Sequence, residues 1–76
     1  VSLDTKNTAN MDIIVNGKPH QADENCTVSQ LLASLNMNTS RIAVEVNMTV
    51  VSRSQYDQFA LSQHDRVEII QAVGGG

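Results

Sequence analysis

A single stretch of the chain has the periodicity of an amphipathic helix, and it limits the folds that 76 residues can form. Thr27 and Gln30 have the spacing of a capping box, in which a hydroxyl and an amide satisfy unpaired backbone groups at the start of a helix. Large apolar residues then recur at i, i+3, i+4 and i+7, at positions Val28, Leu31, Leu32 and Leu35. One helix with one apolar face predicts one sheet for it to cover.

A β-hairpin is predicted before this helix. The β-branched and apolar run at residues 13–15 ends at Asn16 and Gly17, and an Asn-Gly pair suits a type I′ turn because both central residues need φ > 0. The returning strand is expected at residues 18–22. Because Pro19 cannot donate to a neighbouring strand, this second strand is expected to be short and to lie at the edge of the sheet.

Further strands are predicted after the helix. Apolar residues alternate with others at residues 42–46, a short strand is indicated at 50–51, and a mixed segment follows at 52–61. The last strand is expected at residues 66–73, with Val67 and Ile69 on one face and Glu68 and Ile70 on the other. The order predicts an α+β fold of the β-grasp type, a mixed sheet of four to five strands in which the last strand lies parallel to the first.

The chain is divided into three parts by its pattern. Residues 1–10 are polar and aperiodic, so we expect a flexible leader of upstream or non-native sequence, with Met11 as the natural start. Residues 11–73 are expected to form the β-grasp domain, and residues 74–76 a flexible glycine tail.

The net charge of −3 and the presence of only two aromatic residues argue against a nucleic-acid partner. No apolar run is long enough to span a bilayer, so a membrane partner is not expected.

Cys26 is the only cysteine, which excludes an intramolecular disulfide and favours a reducing compartment, so we expect the cytoplasm. A nucleophilic or sulfur-relay role is conceivable for Cys26, but a passive, partly buried thiol is the favoured interpretation. His20 and His64 match no metal-ligand spacing with it, so no metal site is predicted.

The chain ends in Gly74, Gly75 and Gly76. Three residues without Cβ extend roughly 10 Å and can pass through a channel that is too narrow for side chains. Ordering them opposes binding by about 1–2 kcal/mol per residue, so affinity for a partner must come from the surface of the domain.

Several segments together resemble the ThiS family, the ubiquitin-like sulfur carriers of thiamine (thiazole) biosynthesis. They occur in the family's order over residues 11–76: "IIVNGKP", "TVSQLLASL", "IAVEVN", "VVSRSQYDQFAL", "HDRVEIIQAV" and the terminal "VGGG". The resemblance implies a carrier and co-substrate rather than an enzyme, and the chain accordingly has no P-loop or other nucleotide motif.

The resemblance also implies roles and partners. An E1-like adenylyltransferase of the ThiF type would use ATP to adenylate the Gly76 carboxylate, and a persulfide donor would convert it to a thiocarboxylate. A thiazole synthase of the ThiG type would take the sulfur. Gly75 would belong to the threading tail and Gly74 would act as its hinge. The chain itself is expected to bind no cofactor.

The surface that meets these partners is expected on the sheet face opposite the helix. Strand positions that point away from the helix give Ile14, Ala43, Ile70 and Ala72 as candidates, and exposed apolar patches of this kind often mark interfaces. A register slip of one residue would exchange the two faces.

Two other functions in the same fold class remain open from sequence. The small subunit of molybdopterin synthase shares the thiocarboxylate chemistry but gives sulfur to a pterin, and a ubiquitin-like modifier forms isopeptide bonds with lysines. A third possibility is a binding module with no terminal chemistry, which would stay active without Gly75 and Gly76.

Overall fold

A computed structural model describes residues 10–71, which form a five-stranded mixed sheet covered on one face by one α-helix. The strands are β1 (Asn10–Val15), β2 (Lys18–Asp23), β3 (Ile42–Val46), β4 (Thr49–Val51) and β5 (Arg66–Gln71), and the helix α1 is Val28–Ser34. Short 3₁₀ turns lie at Thr39–Arg41 and Arg53–Gln55. The predicted α+β, β-grasp fold is confirmed.

The sheet order is β2-β1-β5-β3-β4, so the last strand occupies the centre. β5 pairs in parallel with β1 and antiparallel with β3, as the order of the elements predicted. β2 lies at an edge, which accommodates Pro19. β1 begins at Asn10, the last residue of the expected leader, and β2 continues one residue past the expected Ala22.

The hairpin turn and the helix start form as their residues require. Asn16 and Gly17 have φ of 51° and 82°, both in the left-handed region that the turn demands. The hydroxyl of Thr27 accepts a hydrogen bond from the backbone N–H of Gln30 at 3.2 Å. The side-chain Oε1 of Gln30 accepts one from the backbone N–H of Thr27 at 3.0 Å. The predicted capping box is therefore confirmed.

The core lies between α1 and the inner face of the sheet. Val28, Leu31 and Leu32 are buried, and Leu35 packs against the core from a partly buried position. The sheet contributes residues from all five of its strands: Met11, Ile13, Ala22, Ile42, Val44, Val46, Val51, Val67 and Ile69. Within residues 10–71 no helix is long and apolar enough to cross a bilayer.

Candidate functional site

The predicted reactive group belongs to a part of the chain outside the described residues. Gly74, Gly75 and Gly76 follow the last described residue, Gln71, as does the surface candidate Ala72. The structure therefore defines the site from its base, the end of β5 from which the tail continues.

β5 is held at both of its sides by backbone pairing. Towards β3 the register runs from Val46↔Val67 to Ile42↔Gln71, so this side is paired to the end of the described chain. Towards β1 the described pairs stop at Val15↔Val67. The pairing stops there because β1 ends at Val15 and the chain turns into the hairpin.

Two turn asparagines extend the pairing where the neighbouring strands end. Asn47 follows β3, and its backbone N–H donates a hydrogen bond to the Arg66 carbonyl at 2.8 Å. Its side-chain Oδ1 accepts a hydrogen bond from the backbone N–H of Arg66 at 3.0 Å. Asn16 follows β1, and its backbone N–H donates a hydrogen bond to the Val67 carbonyl at 2.9 Å. Its side-chain Oδ1 accepts a hydrogen bond from the backbone N–H of Ile69 at 2.7 Å. Both asparagines have positive φ, at 52° and 51°. Sequence reasoning assigned Asn16 to a turn but missed its contact with β5.

An open groove lies beside the end of β5. Its volume is about 670 Å³, and Leu35 and Met37 give it partly buried apolar walls. Ile69 and Gln71 of β5 line it, and among residues 10–71 they follow the last residue of β5 that pairs with β1. The remaining lining residues are Val15, Asn16, Lys18, Asn36 and Asn38.

The open face, which we define as the sheet face opposite α1, contains three of the four surface candidates. Ala43 and Ile70 are direct partners across β3 and β5, and Ile70 is 51% exposed. Ile14 is half-buried and pairs with Arg66, four residues before Ile70 along β5. At about 3.3 Å per residue this separation is roughly 13 Å. The structure thus brings Ala43 and Ile70 together and places Ile14 apart from them.

The sequence analysis did not select two other exposed apolar residues, of which Val50 lies on the open face and Met48 in a turn. Val50 is 67% exposed and lies opposite Glu45, which in turn lies opposite Glu68. Met48, at the tip of the β3–β4 hairpin, is 88% exposed and has φ of 71°. Pairing parity across a short Asn47-Met48 turn would have assigned Val50 to this face.

Ile14 borders a shallow depression of about 450 Å³ at the other end of the open face. Pro19, Gln21 and His64 line it. His64 adopts φ of 70°, and its backbone N–H donates to the Asp12 carbonyl at 2.7 Å, so His64 is a turn residue there.

Cys26 is buried, with 8% of its surface exposed, and its Sγ lies 3.4 Å from the Thr27 carbonyl. Burial raises the pKa of the Cys26 thiol, and the nearby Asp23 carboxylate raises it further. A thiol held neutral in this way is a poor nucleophile. This is the passive environment that was predicted. Within residues 10–71 no three or more His, Cys, Asp and Glu side chains are grouped as metal ligands.

Comparison with known proteins identifies the family. The ThiS family model matches residues 13–76. The chain is 35% identical to the crystal structure of a thiamine biosynthesis protein (ThiS) from Geobacter metallireducens, with a TM-score of 0.74 over 87% of this chain and 100% of that one. It is 34% identical to the sulfur carrier protein ThiS of Bacillus subtilis, over 66% of this chain and 76% of that protein.

A larger protein also contains a similar segment. Over 87% of its length, the chain is 39% identical to part of a thiazole synthase from Magnetococcus marinus. The chain spans only 20% of the length of that synthase. A thiazole synthase from Paramagnetospirillum magneticum is matched over the same 20% share. The family model covers most of the chain, including the three terminal glycines. The chain therefore belongs to the ThiS family.

Proposed function

We propose that this chain is a sulfur carrier for the synthesis of the thiamine thiazole, and that its reacting group is the Gly76 carboxylate. The observation that carries the proposal is the family match, which continues through residue 76 and so includes the glycine tail. The fold supports it, because the strand that leads to the tail is the central one and is held from both sides.

The chemistry divides into activation and sulfur transfer. A carboxylate is a poor acyl donor, so an adenylating enzyme of the ThiF type first joins Gly76 to AMP from ATP and releases pyrophosphate. The terminal sulfur of a persulfide donor then attacks the carbonyl, AMP leaves, and reduction of the S–S bond by a thiol gives the thiocarboxylate. The partner supplies ATP binding and electrostatic stabilisation of the charge that develops. This chain supplies the acyl group, as a co-substrate.

The acceptor of the sulfur is a thiazole synthase of the ThiG type. Support comes from the two thiazole synthases that contain a segment similar to this chain, because a carrier and its consumer gain effective concentration when they share one polypeptide. The tail of Gly74, Gly75 and Gly76 would thread into the active site of each partner in turn.

Docking to the adenylating enzyme is assigned to the open face. Ala43, Val50 and Ile70 are exposed there on three adjacent strands, and exposed apolar side chains of this kind favour a protein interface. Glu45 and Glu68 lie between them and favour a partner with basic side chains opposite.

Intact-mass analysis tests the proposal. The chain is incubated with ATP, a ThiF-type enzyme, a persulfide source and a thiol, and conversion of the terminal acid to its thioacid adds about 16 Da, the difference between sulfur and oxygen. A chain that lacks Gly75 and Gly76 is the control and should gain no mass. An unchanged mass of the full chain with an active cognate enzyme would refute the proposal.

The thioacid product then separates the related functions. Sulfur delivery to a thiazole synthase supports the proposal. Delivery to a pterin precursor, or isopeptide conjugates of the chain in cells, would assign the same terminal chemistry to a molybdopterin synthase subunit or to a protein modifier.

A further inference from the structure

The end of β5 has different support on its two sides. Towards β3, backbone pairing continues through Ala43↔Ile70 and Ile42↔Gln71. Towards β1, the last backbone hydrogen bond within residues 10–71 joins Asn16 N–H to the Val67 carbonyl. The next group that faces this side is the Ile69 amide, which donates to Oδ1 of Asn16 at 2.7 Å. The Asn16 side chain therefore provides the acceptor that a backbone carbonyl would provide if β1 continued by one residue.

The left-handed conformation of Asn16 makes this contact possible. With φ of 51°, the backbone leaves the sheet towards β2 directly after its N–H has paired with β5. Asparagine tolerates this conformation and also has an acceptor that reaches one peptide further along the neighbouring strand. Glycine would adopt the same backbone without providing an acceptor.

We infer that Asn16 is a positioning residue: its side-chain hydrogen bond to Ile69 fixes the direction in which β5 leads into the glycine tail. This inference rests on the proposed function. Gly76 lies seven residues after Ile69, so a chain drawn out in a partner's channel reaches at most roughly 25 Å beyond Ile69. A tilt of about 10° at Ile69 would displace the end of a fully extended tail by about 4 Å, and the conformational freedom of the glycines would offset most of this shift. Misplacement of a reacting group by about 1 Å can cost a hundredfold in rate.

Asn47 provides a matched control within the same strand. It too has positive φ, and its Oδ1 accepts the Arg66 amide at 3.0 Å. Arg66 begins β5, at the end far from the tail, whereas Ile69 lies near the end. Asn47→Gly also removes the hydrogen bond that Nδ2 of Asn47 donates to Asp65 at 2.9 Å, so it should destabilise the fold at least as much as Asn16→Gly without changing how the strand leaves the sheet.

The experiment compares three variants as full chains. Asn16→Gly keeps the turn conformation and removes the acceptor, Asn16→Asp keeps both, and Asn47→Gly removes the equivalent acceptor at the start of β5. Thiocarboxylate formation by the ThiF-type enzyme is followed by intact mass at saturating and limiting carrier concentration. We expect Asn16→Gly to lower kcat about tenfold with KM changed less than twofold, and Asn16→Asp and Asn47→Gly to keep kcat within twofold of the unchanged chain.

Amide hydrogen exchange gives a second measurement that needs no partner. We expect the Ile69 amide to exchange at least tenfold faster in Asn16→Gly than in Asn47→Gly, after correction for global stability. An unchanged kcat in Asn16→Gly, an equal loss in Asn47→Gly, or unchanged protection of Ile69 would each overturn the inference. If the unchanged chain is not thiocarboxylated, the proposed function fails, and the exchange comparison still decides whether Asn16 holds the end of β5.

Discussion

Glu45 and Glu68 are direct partners across β3 and β5, and both lie on the open face. Like charges placed directly opposite each other on a sheet are unfavourable. Within residues 10–71 neither carboxylate accepts a hydrogen bond from a side chain that would offset the repulsion. A pair that weakens the folded sheet and lies beside Ile70, with Glu68 exposed and Glu45 half-buried, is consistent with a surface that meets a basic partner.

Glu68→Gln should stabilise the fold, because it removes the repulsion while keeping the size of the side chain. We expect a gain of about 0.3 kcal/mol in the free energy of unfolding at low ionic strength, and a smaller gain in 1 M salt. Urea denaturation at the two salt concentrations measures it. Glu24→Gln, in the exposed turn after β2, is the control for the loss of one negative charge. An equal gain in the control would assign the effect to net charge rather than to the pair.

Met48→Gly should also stabilise the fold. Met48 has φ of 71° and exposes 88% of its surface, so its side chain contributes little packing while its backbone is strained. Glycine adopts this conformation freely but loses more entropy on folding, which leaves a net gain of about 0.5 kcal/mol. Thermal and urea unfolding check it against Met48→Ala, which shortens the side chain but keeps the Cβ. A destabilised glycine variant would show that Met48 packs in solution.

The Cys26 thiol should react slowly with alkylating reagents. Burial and Asp23 raise its pKa, so less thiolate is present at any pH below the ordinary thiol pKa of 9.0 than in the unfolded chain. The rate of iodoacetamide alkylation against pH, with and without urea, measures this difference. Asp23→Asn should lower the midpoint in the folded protein, whereas Glu68→Gln, on the open face, should leave it unchanged. A folded midpoint at or below the urea value would contradict the burial argument.

The raised pKa of the Cys26 thiol also predicts how the free energy of unfolding depends on pH. A thiol whose pKa is raised on folding favours the folded state fully below the unfolded pKa, and this contribution is lost as pH rises through the folded pKa. The free energy of unfolding should therefore fall above about pH 9. Cys26→Ala, measured over the same pH range, should lose the part of this fall that belongs to the thiol.

Local patterns predicted the fold because each one had a single structural solution. The Asn16-Gly17 turn, the Thr27 and Gln30 capping box and the alternation in β3 and β5 involve residues that are close in sequence. The parallel pairing of β5 with β1 followed from the order of the elements. The alternation of residues along the strands likewise predicted that Ala43 and Ile70 lie on the same face of the sheet, and the structure pairs them there.

Contacts between residues far apart in sequence could not be predicted in this way. The hydrogen bond from Ile69 to Asn16 joins residues 53 positions apart, and nothing in the local pattern distinguishes a turn asparagine that faces solvent from one that holds a strand. The separation of Ile14 from Ile70 depends on where the short β1–β5 register begins, which is a tertiary property. The exposure of Met48, which lies in a turn with φ of 71° and outside the alternation of the strands, could likewise not be predicted from strand parity.

Ala43→Arg should weaken docking to the adenylating enzyme while leaving the carrier folded. Ala43 is exposed on the open face beside Ile70, so an arginine there places bulk and positive charge against a surface that we expect to be basic. Ala33→Arg, on the exposed side of α1, is the matched control. We expect KM for thiocarboxylate formation to rise about tenfold in Ala43→Arg and less than twofold in Ala33→Arg, with unfolding free energies within about 0.5 kcal/mol of the unchanged chain. If Ala33→Arg raised KM and Ala43→Arg did not, the enzyme would dock on the helix side, and the open face would lose its assignment.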